Sequence, residues 1–256
     1  STFSPIYAFK NAHIIISAER EILSGTLLIQ DDKILEADSI VEIPKGSIVK
    51  DLNGDYIYPS FIDLYSNYGI KEVSNREYNY RPQYKSKKDG AFHWNEAIHP
   101  EINASEKFVV NSVQSQTYLA CGFGIVLTHQ QDGIARGTAA LVSLVDGVEQ
   151  ESIIIPQAAS AFSFKKGVSK QKYPSSLMGS IALLRQLFLD AYWHQESKTT
   201  TNLSFNAFNN QLNLIHLFEA NSNLDYSRIY NISDEFEIDF IVRGSGAEYK
   251  RIDEIK

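Results

Sequence analysis

The segment from Leu214 to Gly244 constrains the fold more than any other part of the chain. LIHLFEA (214–220) is an apolar run of strand length. Ser222 and Asp225 then open a helical pattern with Leu224, Ile229, Ile232 and Phe236 on one side, and IDFIVRG (238–244) is a second apolar run. Strand, helix and strand within about 30 residues make a βαβ unit, whose strands are parallel and whose crossover is right-handed. Units of this kind favour an α/β barrel or a doubly wound sheet.

The sequence before that segment divides in two. Residues 1–58 read as short strands with tight turns: IYAFKNAHIII, GTLLIQ, a turn at Asp31-Asp32, KILEAD, and an Asn53-Gly54 turn before YIY. Pro59 marks the exit from this β-rich unit. From 59 onward strands and helices alternate. FIDLY is a strand. Asn103 or Ser105 caps a helix over about 105–120 carrying Phe108, Val109, Val113 and Leu119, with Gly122 as its stop. GIVLTH (124–129), AALVSLV (139–145) and SIIIP (152–156) are further strands. After Pro174, with Ser175 or Ser176 as cap, Leu177, Ile181, Leu184, Phe188 and Ala191 recur at helical spacing and form a packing face.

Composition excludes several functions. The chain has 256 residues, 24 basic against 31 acidic, and a net charge of −7, which argues against a nucleic-acid partner. KKDG (87–90) and FKKG (164–167) read as short solvated loops. The single Cys121, in YLACGFG, excludes an internal disulfide framework and reads as a buried small apolar residue. No run reaches the about 18 apolar residues of a membrane span, and STFSPIYAFK lacks the apolar centre of a signal peptide. GFG (122–124) precedes its strand and GSG (244–246) lacks a third spaced glycine, so neither implies a dinucleotide; no Gly-x-Ser-x-Gly elbow is present.

FKNAHIIIS…GTLLIQDDKILEAD, DLNGDYIYPSFIDLYSNYG, GFGIVLTH, GIARGTAALVSL and FEANSNLDYSRIYNISDEFEIDFIVRGSGAEYKRIDEI together resemble the amidohydrolase superfamily, in its imidazolonepropionase-like and prolidase-like branch. The resemblance implies a partial TIM-type (β/α) barrel, about two-thirds of the eight-stranded whole, over residues 59–256. It is preceded by a small β-sandwich-like unit over 1–58 that forms part of a composite sandwich. It implies hydrolysis of C–N bonds in a small-molecule amide by a divalent ion, usually zinc, which polarises the carbonyl and supplies hydroxide. Export to the periplasm is also carried by the resemblance, and the expected partner is a further domain beyond Lys256 or a second copy of the chain.

The residues depart from the family where its metal binds. Along a strand, positions i and i+2 face the same way, so a His-x-His pair delivers two imidazoles to the barrel mouth. The matching positions here are Tyr65 and Asn67. The family's later His-Ala-His matches Glu219-Ala220-Asn221, and its next histidine falls near Arg243-Gly244. A phenol with a pKa of about 10 and a carboxamide are poor zinc ligands, so zinc is not supported. Asp63, Tyr65 and Asn67 share one strand face, and Glu219 and Asn221 another. Their convergence would make either an oxygen cage for a hard cation or a hydrogen-bonded polar plug, with the plug favoured.

The loop THQQDGIARGT (128–138) offers His129 and Asp132 as an acid–base pair and Arg136 as a clamp for a carboxylate; the alternative is a loop stapled by its own hydrogen bonds. His13 reads as structural. His93 and His99 flank an aromatic segment that lines a pocket or covers the barrel. His194 caps a helix end, and His216 points away from the lumen. Three functions remain open: a ligand-binding protein that has lost its metal site, a working C–N hydrolase with a relocated or oxygen-ligand site, and a structural module of a longer chain.

Overall fold

The computed structural model describes residues 4–74, 81–145, 147–197 and 200–255. The chain divides into two compact units, Ser1–Ser60 and Phe61–Lys256.

The first unit is a five-stranded sheet of β1 (Ile6–Ile15), β2 (Glu21–Gln30), β3 (Lys33–Asp38), β4 (Ile48–Asp51) and β5 (Tyr56–Ile57), in the order β3-β2-β1-β4 with β5 also on β1. Both turns named from sequence are present. Asp31 takes φ 55°, and Asn53 and Gly54 take φ 51° and 92°, the left-handed geometry that Asn and Gly tolerate best. Ala12, Ile14 and Leu27 form its core. His13 stacks on Tyr56 and meets the Glu21 carboxylate at 2.7 Å.

The second unit is mixed α/β. In chain order it comprises β6 (Phe61–Ser66), α1 (Ala104–Lys107), α2 (Ser112–Ala120), β7 (Phe123–Thr128), β8 (Ala135–Ser143), α3 (Glu149–Ser152), β9 (Ile153–Ser163), α4 (Leu177–Ser197), α5 (Leu203–Asn210), β10 (Ile215–Glu219), α6 (Asp225–Phe236), β11 (Phe240–Arg243) and α7 (Ile252–Ile255). The six strands run in the order β11-β10-β9-β8-β7-β6. The βαβ unit holds: β10 and β11 are parallel neighbours joined by α6. β6 pairs parallel with β7, and β9 with β10. β8 is antiparallel to both β7 and β9, a departure from strict strand–helix alternation.

One face of this sheet carries the main core, in which Leu183, Leu184, Leu187, Phe188 and Ala191 of α4 pack with Phe208, Ile229, Ile232, Phe162 and Phe218. Neighbouring residues on a strand face opposite ways. Leu127, Ala139, Ala159 and Leu217 therefore form a separate cluster on the opposite face, with Tyr65 against it.

Three expectations are corrected. The helix expected over 105–120 is two segments, because Phe108 is extended and Asn111 starts α2 afresh, its side chain accepting from the Gln114 amide at 3.0 Å. Only Phe108 of its expected apolar face is buried; Val109, Val113 and Leu119 are exposed. Cys121 is exposed, since it leaves α2 at its C-terminal end just before Gly122, which turns with φ 86°. His194 lies in the last turn of α4 as expected, but it is buried and, instead of capping, places its Nε2 3.1 Å from the Asn206 amide oxygen of α5. Among the described residues, no helix is long and apolar enough to cross a membrane.

Candidate functional site at the C-terminal ends of the parallel strands

Glu219 ends β10 and shares the inner face with Leu217, two residues before it. Tyr65, near the end of β6, lies on the same face. Arg136 reaches this end of the sheet because β8 runs backwards: its first residues lie beside the last residues of β9, with Ala135 opposite Phe162.

Simple alternation would nevertheless put Arg136 on the outer face with Ala140 and Val142. A one-residue register shift between Ala135 and Thr138 reverses that and sends Arg136 inward. Gly137 makes the bulge possible. It takes φ 87°, and a Cβ there would collide with the Ile102 carbonyl, to which Thr138 N–H donates at 2.9 Å.

The three side chains close on one another. The Tyr65 hydroxyl donates to Glu219 Oε2 at 2.7 Å, and Arg136 donates to the same oxygen at 2.7 Å. The other arm of Arg136 donates to the Tyr65 hydroxyl at 3.0 Å, and its Nε to the Gly133 carbonyl at 3.0 Å. Lys165, just past β9, donates to Glu219 Oε1 at 3.0 Å. Arg243, at the end of β11, places its guanidinium 4.7 Å from the centre of the Tyr65 ring and 4.0 Å from Glu219 Oε1.

Burial alone would raise the Glu219 carboxyl, but the Tyr65 hydroxyl, Arg136 and Lys165 outweigh it and hold it at about 2. Burial pushes the Tyr65 phenol above its ordinary value, so it stays a donor. The cluster is thus an ionised carboxylate saturated by protein cations.

His129 follows β7 and packs edge-on against Tyr65, ring centres 5.0 Å apart. It is fully buried, and neither ring nitrogen has a hydrogen-bond partner. Burial, with the Arg136 charge second, lowers it to about 3, so the imidazole is neutral.

Asp132 is elsewhere. Its carboxylate accepts from the Val168 amide at 2.8 Å, and its carbonyl accepts from His99 Nε2 at 2.7 Å. The pairing of His129 with Asp132 expected from the sequence is therefore absent, and Asp132 instead ties the loop after β7 to the loop after β9. A Cβ on Gly167 (φ 67°) would overlap the Asp132 carboxylate, which shows how tightly the two loops are joined.

Of the five oxygen-bearing side chains expected to converge, only Tyr65 and Glu219 do. Asp63 accepts from the Tyr65 backbone N–H at 2.9 Å, Asn67 Nδ2 donates to Glu72 at 3.4 Å, and Asn221 lines a cavity of about 920 Å³, its backbone N–H donating to Asp225 at 2.8 Å. Asn67 and Asp132 border a cleft of about 180 Å³. Among the described residues, no three His, Cys, Asp or Glu side chains group as a metal centre requires.

The other histidines are structural here. His216 is 2.5 Å from Ser160 Oγ through Nδ1 and 3.2 Å from the Leu212 carbonyl through Nε2. His93 Nδ1 accepts from the Asn95 amide at 3.0 Å, and burial lowers it to about 4.

Neither lysine pair is a simple solvated loop. Lys88 donates to Glu101 at 3.0 Å in a largely buried setting. Lys165 and Lys166 line a cavity of about 920 Å³. The signal for Lys165 and Arg243 is their place at the C-terminal ends of apolar strands, where α/β sheets present functional groups.

No family model matches the sequence, and no curated protein is significantly similar to it. Among solved structures the fold is similar to that of an amidohydrolase from Thermotoga maritima MSB8, with a TM-score of 0.73 and 21% identity, over 92% of this chain and 63% of that one. The chain therefore spans less than two-thirds of that protein's length. A prolidase complexed with N-methylphosphonate-L-proline also aligns, over 88% of this chain and 59% of its own, at 13% identity and a TM-score of 0.38, too low to speak for a shared fold.

Proposed function

We propose that this chain is an amidohydrolase-like ligand-binding protein in which Arg136, not a metal ion, neutralises the carboxylate at the mouth of the sheet. The observation that carries this reading is the closed set of contacts among Arg136, Glu219 and Tyr65. Tyr65 and Glu219 stand at positions that match metal-ligand positions in the resembled family, and here both hold a guanidinium.

A divalent ion does not fit this donor set. Both Glu219 oxygens are committed to protein donors, and Arg136 and Lys165 would repel a dication at contact distance. The neutral imidazole of His129 faces an aromatic ring rather than a metal-binding group. With its proton affinity held so low, His129 is also a weak general base near neutral pH, and Asp132 is committed to the Val168 amide. Hydrolysis by His129 and Asp132 is the less favoured reading on those two grounds.

The architecture that accompanies this reading is a partial (β/α) barrel for the second unit, with β6 and β11 the end strands of its six-stranded sheet among the described residues, and one layer of a β-sandwich for the first. The test is metal analysis of purified protein, with a panel of cyclic and linear amides as substrates. Less than stoichiometric metal and no amide turnover are expected. One zinc per chain together with amide hydrolysis would overturn the proposal.

A further inference from the structure

We infer that Asn53 is a latent deamidation site, held closed by its turn on β1 and converted only when that turn opens. Asn53-Gly54 is the single Asn-Gly step in the sequence. With no side chain on the following residue, nothing crowds the backbone nitrogen that must attack.

The step balances with water as its only partner. The Gly54 nitrogen attacks the Asn53 side-chain carbonyl carbon, and a C–N bond forms. The Gly54 proton passes to the side-chain nitrogen, which departs as ammonia. Water then opens the cyclic imide at one carbonyl or the other, giving aspartate or isoaspartate. The reaction therefore needs a free Gly54 N–H and a backbone that can bring that nitrogen against the side chain.

The folded turn withholds both. Asp55 N–H donates to the Leu52 carbonyl at 2.8 Å, which makes Asn53 and Gly54 the central pair of a turn, with φ of 51° and 92°. Positive φ at both positions is the type I′ geometry that Asn-Gly favours. The turn joins β4 to β5, and both strands pair parallel with β1. Between those pairings Asn11 of β1 takes φ 54°, and its carbonyl accepts from Gly54 N–H at 2.7 Å. The attacking nitrogen is thus committed to the sheet.

Asp51 clamps the other side of the turn. Its carboxylate accepts from Asn53 N–H at 3.0 Å and from the Asn11 side chain at 2.9 Å, and it meets Lys10 at 3.1 Å. Asn53 itself is exposed, so water is at hand and the backbone alone holds the reaction back. A reaction confined to the open form proceeds at a rate set by the population of that form. Isoaspartate also routes the chain through an extra carbon and adds a carboxylate between Asp51 and Asp55. The converted turn cannot restore the Gly54–Asn11 bond in register, so conversion makes the opening permanent.

Peptide mapping with isoaspartyl detection follows Asn53 in the full chain at mildly alkaline pH, folded or unfolded in guanidinium chloride. Conversion is expected to be at least about tenfold slower in the folded chain. Folded Asp51→Ala is expected to convert at least about threefold faster than wild type, and Asp51→Asn, which keeps an acceptor for Asn53 N–H, within about twofold of it. A second measurement needs no variant. Hydrogen exchange at the wild-type Gly54 amide is expected to be protected, and to lose protection in step with Asn53 conversion as guanidinium is added. Equal rates in the folded and unfolded chains, an unprotected Gly54 amide, or folded Asp51→Ala converting no faster than wild type would overturn the inference.

Discussion

The Glu219 cluster and the cavity of about 920 Å³ meet at Lys165 and differ in how deeply their charges lie. In the cluster, Arg136, Lys165 and Arg243 surround a single carboxylate that also accepts from a phenol. In the cavity, Asp225 accepts from Arg228 and from the Asn221 and Ser222 backbone N–H groups, and Lys165 and Lys172 lie in an open lining.

Burial explains the difference. Arg136 is 2% exposed, and an unmatched charge at that depth costs several kcal/mol, so its guanidinium is held by Glu219, Tyr65 and the Gly133 carbonyl. The Lys165 side chain is 58% exposed, and water tolerates an ammonium whose partner is shared. The same end of the sheet therefore holds a closed region, where the charges lie against one another, and an open one that water reaches.

The comparison breaks most visibly if Arg136 is removed. Arg136→Met leaves a buried carboxylate facing only Tyr65 and peripheral cations, and the expected loss is about 3–5 kcal/mol by urea denaturation. A loss under about 1 kcal/mol would move the role of counter-ion to Lys165 and Arg243. Gly137→Ala tests how Arg136 comes to point inward. With φ at 87° and the Ile102 carbonyl in the way, it is expected to cost roughly 2–3 kcal/mol, and an unshifted midpoint would show that the bulge does not depend on glycine.

Acidification sharpens the contrast between His129 and Glu219. His129 in the folded state sits at about 3, below its ordinary 6.5, so the unfolded chain takes up the proton first as pH falls. Stability is then full above about 6.5 and declines toward 3, by at most about 1.4 kcal/mol per pH unit for that one proton. Glu219, held at about 2 against 4.5, adds its own loss only between those values.

His129→Phe is expected to flatten the upper part of the acid limb measured by denaturation at a series of pH values. It should not abolish that part, because burial also lowers His93, His99 and His216. An unchanged slope would contradict the buried neutral state of His129. The smallest effect is expected for Lys165→Ala, under about 1 kcal/mol of stability by urea denaturation, because its side chain is 58% exposed.

Much of this was legible in the sequence because periodicity reports burial. The βαβ unit from Leu214 to Gly244, the long helix after Pro174 and both tight turns follow from apolar spacing and turn residues. Three members of the cluster were singled out as well, Tyr65 and Glu219 because they match the resembled family's metal-ligand positions and Arg136 because it lies in the loop after a strand.

What the sequence did not give was how they meet. Arg136 turns inward only because β8 is antiparallel and bulges at Gly137, and pairing direction is a tertiary property. The GIARGT stretch did contain the signal, a lone glycine within a strand pattern. Lys165 was read as solvated because two adjacent lysines before a glycine look like a surface loop until a neighbouring strand brings Glu219 to them. The expected face of Phe108, Val109, Val113 and Leu119 failed because Val109 N–H bonds to the Gly69 carbonyl, at 2.9 Å, instead of continuing a helix.

The central claim is that a guanidinium neutralises Glu219 in place of a metal. The most direct test is thermal denaturation of metal-stripped protein with and without saturating zinc, with Glu219→Gln run in parallel. The account gives the same midpoint for the wild-type chain in both conditions, since a ligand that does not bind the folded state cannot stabilise it. A zinc-dependent rise in the midpoint of the wild type that disappears in Glu219→Gln would place a metal at Glu219 and contradict it.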